Sequence, residues 1–205
     1  MSRAGTIIVG GGVIGITLAH ELASRGERVT VLERGRAGHG CSYGNAGWIT
    51  PCFAMPLPMP GMLTTALRWL GDPASPFHIR PRPSLTLLRW LVRFLGAMNE
   101  RDFERGARAL VELSQASLAD YRALAATHGD FGFEARGLTI ACETSAGLAM
   151  AEHERAIAER HGVRGERLES AALRARVPAL RGTVVGGVHF PDEAHLDPLR
   201  FVESM

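Results

Sequence analysis

Gly10, Gly12 and Gly15 are spaced G-x-G-x-x-G, and Glu33 follows them at a distance suited to the same ligand. The chemistry open to this set is the binding of a dinucleotide. Gly10 permits a tight turn. Gly12 lacks a Cβ, so a pyrophosphate can approach the backbone. Gly15 lets a helix pack closely on a strand. The helix that starts here offers free N–H groups and partial positive charge to phosphates. The Glu33 carboxylate can accept from a ribose diol, and it would repel a 2′-phosphate, which argues against NADP. The spacing is shared by FAD and NAD sites. Two features favour FAD. Ala19 and Gly26 add small residues that seat the helix. The loop after Glu33 is rich in small residues, with Gly35, Ala37, Gly38, Gly40, Ser42, Gly44, Asn45, Ala46 and Gly47. Such a loop can lie along a long cofactor and present N–H groups to it.

The elements around these residues read as a βαβ unit. Thr6-Ile7-Ile8-Val9 is a β-branched run suited to a buried parallel strand. Val13 to Arg25 is helical, with Ile14, Leu18 and Leu22 on one face, and Gly26 is placed to end it in the left-handed conformation. Arg28 to Leu32 forms the second strand. Prolines at 51, 56, 58 and 60 make residues 48–61 an extended loop. Met62 to Leu70 reads as a short helix, followed by a second proline-rich stretch. Ser84 is placed as an N-cap, and Leu85 to His128 reads as two helices broken near Gly96 to Asp102. Leu110, Leu113, Ser117, Tyr121 and Leu124 mark the expected core stripe of the second. Phe131–Glu134 and Leu138–Cys142 are expected as strands of a hairpin. Helices are expected over 145–161 and 170–177, and a strand over 183–190. Asp197 with Pro198 begins a last helix. The expected class is α/β, a Rossmann-like FAD-binding βαβ unit plus a mixed α+β substrate domain. The expected divisions are 1–50 for the cofactor unit and flavin loop, 51–195 for a partial substrate domain, and 196–205 for a helix returning to the cofactor unit. A doubly wound sheet needs more than two strands, so the chain reads as truncated, the N-terminal part of a longer protein.

Composition bounds these readings. The chain has 205 residues, 46% of them hydrophobic and 21% charged, with net charge +2. This fits an ordinary globular protein and offers no electrostatic footprint for nucleic acid. All 23 basic residues are Arg. A Schiff-base or P-loop lysine is therefore excluded within these residues. Cys41, Cys52 and Cys142 form no C-x-x-C pair, so neither a zinc site nor a disulfide framework is indicated. No apolar run reaches the roughly 18 residues of a membrane span.

Other groups have plainer readings. Gly40-Cys41-Ser42-Tyr43-Gly44 fits the G-x-S-x-G nucleophile elbow, but it lacks the strand before and the helix after that the elbow needs. Ser42 reads better as a donor to cofactor phosphate. His153-Glu154 is no zinc motif, because position 157 is Ile157. His78 and Arg80 read as surface loop residues, and His189 and His195 as packing and turn residues. Arg68, Arg89 and Arg93 lie near Trp69, Trp90 and Phe94. Basic, aromatic, amphipathic character could serve a peripheral membrane surface, but the favoured reading is an ordinary core-facing helix with solvated arginines.

Ser42-Tyr43-Gly44-Asn45-Ala46-Gly47-Trp48-Ile49-Thr50-Pro51 resembles the segment that follows the FAD-binding acid in bacterial FAD-dependent D-amino-acid dehydrogenases, of the D-amino-acid oxidase-like family. Ala66–Leu70, Ile79–Pro81, Leu87–Leu91, Gly137-Leu138 and Phe190–Pro198 resemble that family too. The likeness covers the N-terminal half of a family member. It implies that Gly10, Gly12, Val13, Ile14 and Gly15 meet the FAD pyrophosphate. It also implies that Glu33 holds the adenosine ribose, that Arg34 lies beside the adenine, and that Ser42, Asn45, Ala46 and Gly47 run toward the isoalloxazine. The implied reaction is oxidation of a D-amino acid to an imino acid, which hydrolyses to a 2-oxo acid, with quinone or oxygen taking the electrons. No catalytic residue is assigned, because the family's carboxylate-binding residues fall in the other half. A cytoplasmic location is the expectation, and peripheral contact at the inner face of the plasma membrane is the alternative kept beside it. Two other readings stay open: a D-hydroxyproline or glycine-type amine as substrate, and a non-catalytic truncated chain needing a partner half.

Overall fold

The computed structural model describes residues 5–61, 63 and 84–205. The expected helix over 62–70 falls outside the described residues apart from residue 63, and Arg68, Trp69, His78 and Arg80 fall outside them altogether. Strand β1 (Thr6–Val9), helix α1 (Val13–Ser24) and strand β2 (Val29–Leu32) form a parallel βαβ unit with Thr6 opposite Val29 and Val9 opposite Leu32. Gly26 ends the helix at φ +80°, a conformation that costs glycine little.

The apolar stripe of α1 does not reach a core. Ile14 is 83% exposed and Leu18 47%, and in β1 only Ile8 is buried. The two-stranded sheet covers one side of α1, and elsewhere the helix touches its surroundings at Val13, which packs on the Leu118–Phe201 core, and at His20, which meets His128 edge to face.

Two further sheets follow. Strands β3 (Trp48–Ile49) and β7 (Ala194–His195) pair antiparallel. Strands β4 (Leu138–Cys142), β5 (Glu166–Glu169) and β6 (Gly186–Phe190) make an antiparallel sheet in the order β4-β6-β5. All five residues of β6 are buried. The expected hairpin between 131–134 and 138–142 does not form. Gly132 and Gly137 take φ of +69° and +77°, which turn the chain away. Glu134 makes only an isolated bridge to His195, and β4 pairs instead with β6. Strand β5 was not expected. Its Glu-Arg-Leu-Glu run buries only Leu168, as a charged edge strand does.

The helices are α2 (Leu85–Gly96), α3 (Glu100–Thr127), α4 (Ser145–Arg160), α5 (Ser170–Arg176) and α6 (Pro198–Ser204). Side-chain caps start four of them. Ser84, Asn99, Thr144 and Asp197 each accept a backbone N–H from the first turn, as N-caps do. The buried face of α3 is Phe103, Ala107, Val111 and Leu118. The expected stripe was rotated by one residue at its start, for Leu110 is 40% exposed and Leu113 65%. One residue turns a helix by about 100°, enough to exchange faces. Val111 joins a core with Cys142, Ala158, Val188 and Phe190. Leu118 joins a second core with Ile49, Phe131, Ala194, Leu196 and Phe201.

Candidate cofactor site

The glycine turn is built by contacts that reach across the chain. Gly10 has φ +108°, which L side chains rarely adopt. A Cβ on Gly15 would lie 2.0 Å from the Gly10 carbonyl oxygen, so helix and turn touch there. A Cβ on Gly12 would meet only Ser42 Oγ, at 3.3 Å, with open space otherwise. The three glycines thus have three separate reasons: conformation, packing and an open cradle.

Glu33 stands at the end of β2 and ties the turn to the loop after it. Its Oε2 accepts the Gly11 N–H at 2.7 Å and its Oε1 accepts the Gly35 N–H at 3.0 Å. These two donors hold its carboxyl below the usual glutamate range, although it is exposed. Each carboxylate oxygen has two acceptor sites, so both can also take a hydroxyl from solvent or ligand. The Gly38 N–H donates to the Gly11 carbonyl at 2.8 Å, which draws the loop back over the turn. Gly11 thus anchors both Glu33 and the loop, at a position that the motif spacing treats as an unspecified x.

Ser42 is 6% exposed, and its Oγ accepts the Val13 N–H at 2.9 Å. Gly12, the N-cap of α1, has no side chain to cap with. Ser42 therefore caps α1 from the loop. The Val13 N–H is taken, while those of Ile14 and Gly15 have no intrahelical acceptor. The Ser42 hydroxyl keeps its own proton to donate. The side chain of Ile14 points to solvent and Arg34 is exposed. Asn45 is committed to the loop itself. Its Nδ2 donates to the Cys41 and Ser42 carbonyls, and its Oδ1 accepts the Gly47 N–H at 2.8 Å. Ala46 is exposed, and Gly47 is buried at φ +65°. A Cβ on Gly47 would lie 2.0 Å from the Leu196 carbonyl oxygen. Gly40 to Gly44 run through turns with no strand before and no helix after, so the nucleophile-elbow geometry is not built.

A cleft continues from this loop, lined by Val13, Asn45, Gly47, Tyr121, Leu196 and Phe201 among others. The residues fit a dinucleotide by one local test: the empty side of Gly12 adjoins a buried hydroxyl and the start of a 12-residue helix whose Ile14 and Gly15 N–H groups have no intrahelical acceptor. Among the described residues no cluster of three or more His, Cys, Asp or Glu side chains could hold a metal ion. No helix among them is long and apolar enough to cross a membrane.

The chain is similar to known proteins along nearly its whole length. The family described as FAD dependent oxidoreductase matches residues 6–205. D-amino acid dehydrogenase 2 of Ralstonia nicotianae is 36% identical over 192 residues, covering 91% of this chain and 45% of the relative. D-amino acid dehydrogenase of Methylobacterium radiotolerans is 32% identical over 204 residues, covering 97% of this chain and 49% of the relative. The chain thus spans about half the length of the curated relatives it matches. Among solved structures, glycine oxidase from Bacillus cereus superposes with a TM-score of 0.67 at 20% identity, over 98% of this chain and 42% of that one. L-proline dehydrogenase from P. horikoshii gives 0.65 at 19%, over 98% of this chain and 40% of that one.

Proposed function

The chain belongs to the FAD-dependent oxidoreductase family, and on that premise we propose that it carries the dinucleotide-binding part of an enzyme that oxidises D-amino acids to imino acids and thence 2-oxo acids. The observation that supports this most directly is the open cradle at Gly12, flanked by Ser42 and closed behind by the Glu33–Gly11 bond. Gly12 and the free N–H groups of Ile14 and Gly15 would take the pyrophosphate. Glu33 would hold the adenosine ribose, with Arg34 beside the adenine. Ser42 would donate its hydroxyl proton to phosphate while accepting from Val13. Asn45 would act indirectly, by shaping the loop that carries Ala46 and Gly47 along the cofactor. Bound FAD supplies the acceptor for the hydride that leaves the substrate α-carbon. The named relatives at 36% and 32% identity support a D-amino acid as the substrate.

The test is reduction of an artificial electron acceptor by the FAD-loaded full-length protein that contains these residues. D-amino acids should drive it and their L-enantiomers should not. Turnover with glycine-type amines or D-hydroxyproline alone would move the substrate within the family. Failure to retain flavin would overturn the cofactor site itself.

A second part of the reading concerns where the electrons go. Helix α2 buries no residue, and Leu85, Leu88, Trp90, Val92 and Leu95 are exposed. Its only charged residues are Arg89 and Arg93. Exposed apolar and basic side chains without acids suit an anionic lipid surface. We take α2 as a peripheral contact with the inner face of the plasma membrane, where a quinone would accept electrons. Co-sedimentation with phosphatidylglycerol vesicles, lost in the R89E/R93E variant, is the expected result. No sedimentation of the parent protein would leave oxygen or a soluble carrier as the acceptor.

A further inference from the structure

Glu193 is a carboxyl buried without a cation. It is 1% exposed. Its Oε1 accepts the Cys52 N–H at 3.1 Å, and among the described residues its Oε2 has no hydrogen-bond partner. Its neighbour Asp192 faces outward and takes Arg164 in a two-pronged ion pair of 2.7 and 2.5 Å. The adjacent acids are therefore split, one solvated and paired, the other enclosed and unpaired. An unpaired buried carboxylate is costly, and the neutral acid is not.

The place of this carboxyl matters. The segment after the flavin loop is held to β7 by a ladder of two residues on each strand. At one end of the ladder the Leu196 N–H donates to the Gly47 carbonyl at 3.0 Å. At the other end the hold is the Glu193 side chain on Cys52, the middle residue of the 3-10 turn Pro51–Phe53. Cys52 is itself buried, so its N–H would have no solvent to turn to.

We propose that Glu193 is a positioning residue: as a neutral acid it locks the Pro51–Phe53 turn against β7, and on ionising it releases that turn. This rests on the FAD reading for its functional meaning, since the turn leads directly from the loop assigned to the cofactor. Among the described residues no cation faces Glu193, and the Cys52 N–H and thiol are the groups that favour its charged form. From the turn comes the Cys52 thiol, pushed up by burial and by Glu193, with Glu154 of α4 adding to the same effect. From its own turn comes Asp192, an acid already spent on Arg164. His195 of β7 is half-exposed and faces Glu134 at 3.9 Å. Burial outweighs the hydrogen bonds from the Cys52 N–H and thiol and, with a last contribution from Asp192, pushes the Glu193 carboxyl up to about 7, within the range where a cell's pH acts.

The Cys52 amide reports the lock directly. Hydrogen exchange of the FAD-loaded full-length protein is followed residue by residue from pH 5.5 to 8.5 and corrected for intrinsic rates. Protection of the Cys52 amide should fall by about tenfold or more as pH rises through neutrality. In E193Q the amide oxygen still accepts from Cys52, so protection should stay flat with pH, and flavin content should match the parent. In E193A protection should be lost at every pH. H195Q should behave as the parent does. The pH profile of kcat should lose its neutral limb in E193Q, with KM little changed. A Cys52 protection that does not change with pH in the parent protein overturns the proposal, whatever the variants do. So does a transition that survives in E193Q or vanishes in H195Q. A protein that shows the exchange transition but no D-amino-acid oxidation keeps the lock and overturns the functional reading instead.

Discussion

Glu33 and Gly11 lie 22 residues apart, and the Glu33 carboxylate accepts the Gly11 N–H at 2.7 Å. The acid at the end of β2 thus shapes the turn after β1. It would meet a ribose with the same group. Glu33→Ala removes both roles. FAD affinity, followed by quenching of flavin fluorescence, should fall by about tenfold to a hundredfold. An unchanged affinity would leave Glu33 a structural residue only.

The glycines should separate by phenotype. Gly12→Val puts a branched side chain into the open cradle, where only Ser42 Oγ stands near. It should abolish flavin retention while leaving the melting temperature nearly unchanged. Gly15→Ala drives a Cβ against the Gly10 carbonyl, so it should lower the melting temperature as well. A visible spectrum and a thermal melt of each variant decide the matter.

His189 should make the β4–β6 sheet sensitive to acid. It is 3% exposed, and Arg176 Nη1 lies 2.8 Å from its Nε2. A guanidinium only donates, so Nε2 accepts and the proton sits on Nδ1, where Thr139 Oγ1 takes it at 2.9 Å. Burial first, then the charge of Arg176, lowers the His189 pKa below its ordinary value. The unfolded chain therefore binds this proton first as pH falls below about 6.5. The stability held above that value is lost as acid is added. Urea melts from pH 7 to 5 should show this slope, and His189→Gln should flatten it at some cost in stability.

Phe131 and Phe201 stack edge to face with centroids 5.1 Å apart, and Tyr121 lies 5.0 Å from Phe201. Phe131 and Phe201 are each 1% exposed. This cluster seats α6, whose Leu199 and Val202 lie beside Gly38 of the loop after β2. Phe131→Ala should cost about 3–5 kcal/mol, measured by urea denaturation. Flavin should be released at lower denaturant than in the parent protein.

What could be read from sequence was what depends on neighbours in the chain. Gly26 and Gly162 end their helices at positive φ, and Ser84 and Asp197 cap theirs. The break between α2 and α3 falls where Gly96 and Asn99 stand. The contacts that complete the site were not legible, because each joins distant segments through a side chain of ordinary type. Ser42 on Val13, Glu33 on Gly11 and Glu193 on Cys52 have no spacing to find. The hairpin expectation failed for a related reason. Two adjacent apolar runs suggest pairing with each other, yet β4 takes the later strand β6 as its partner.

Helix α3 has 28 residues, about 42 Å at 1.5 Å per residue. Phe103 packs near Met55 and Met59, Val111 packs with the three-stranded sheet, and Leu118 packs with Ile49 at the end of the flavin loop. One stiff rod is thus bolted at three points along its length. A tilt at the Met59 end must appear, reversed or reduced by leverage, at the Ile49 end. The Met59 end and the Ile49 end are thus gripped by one and the same helix.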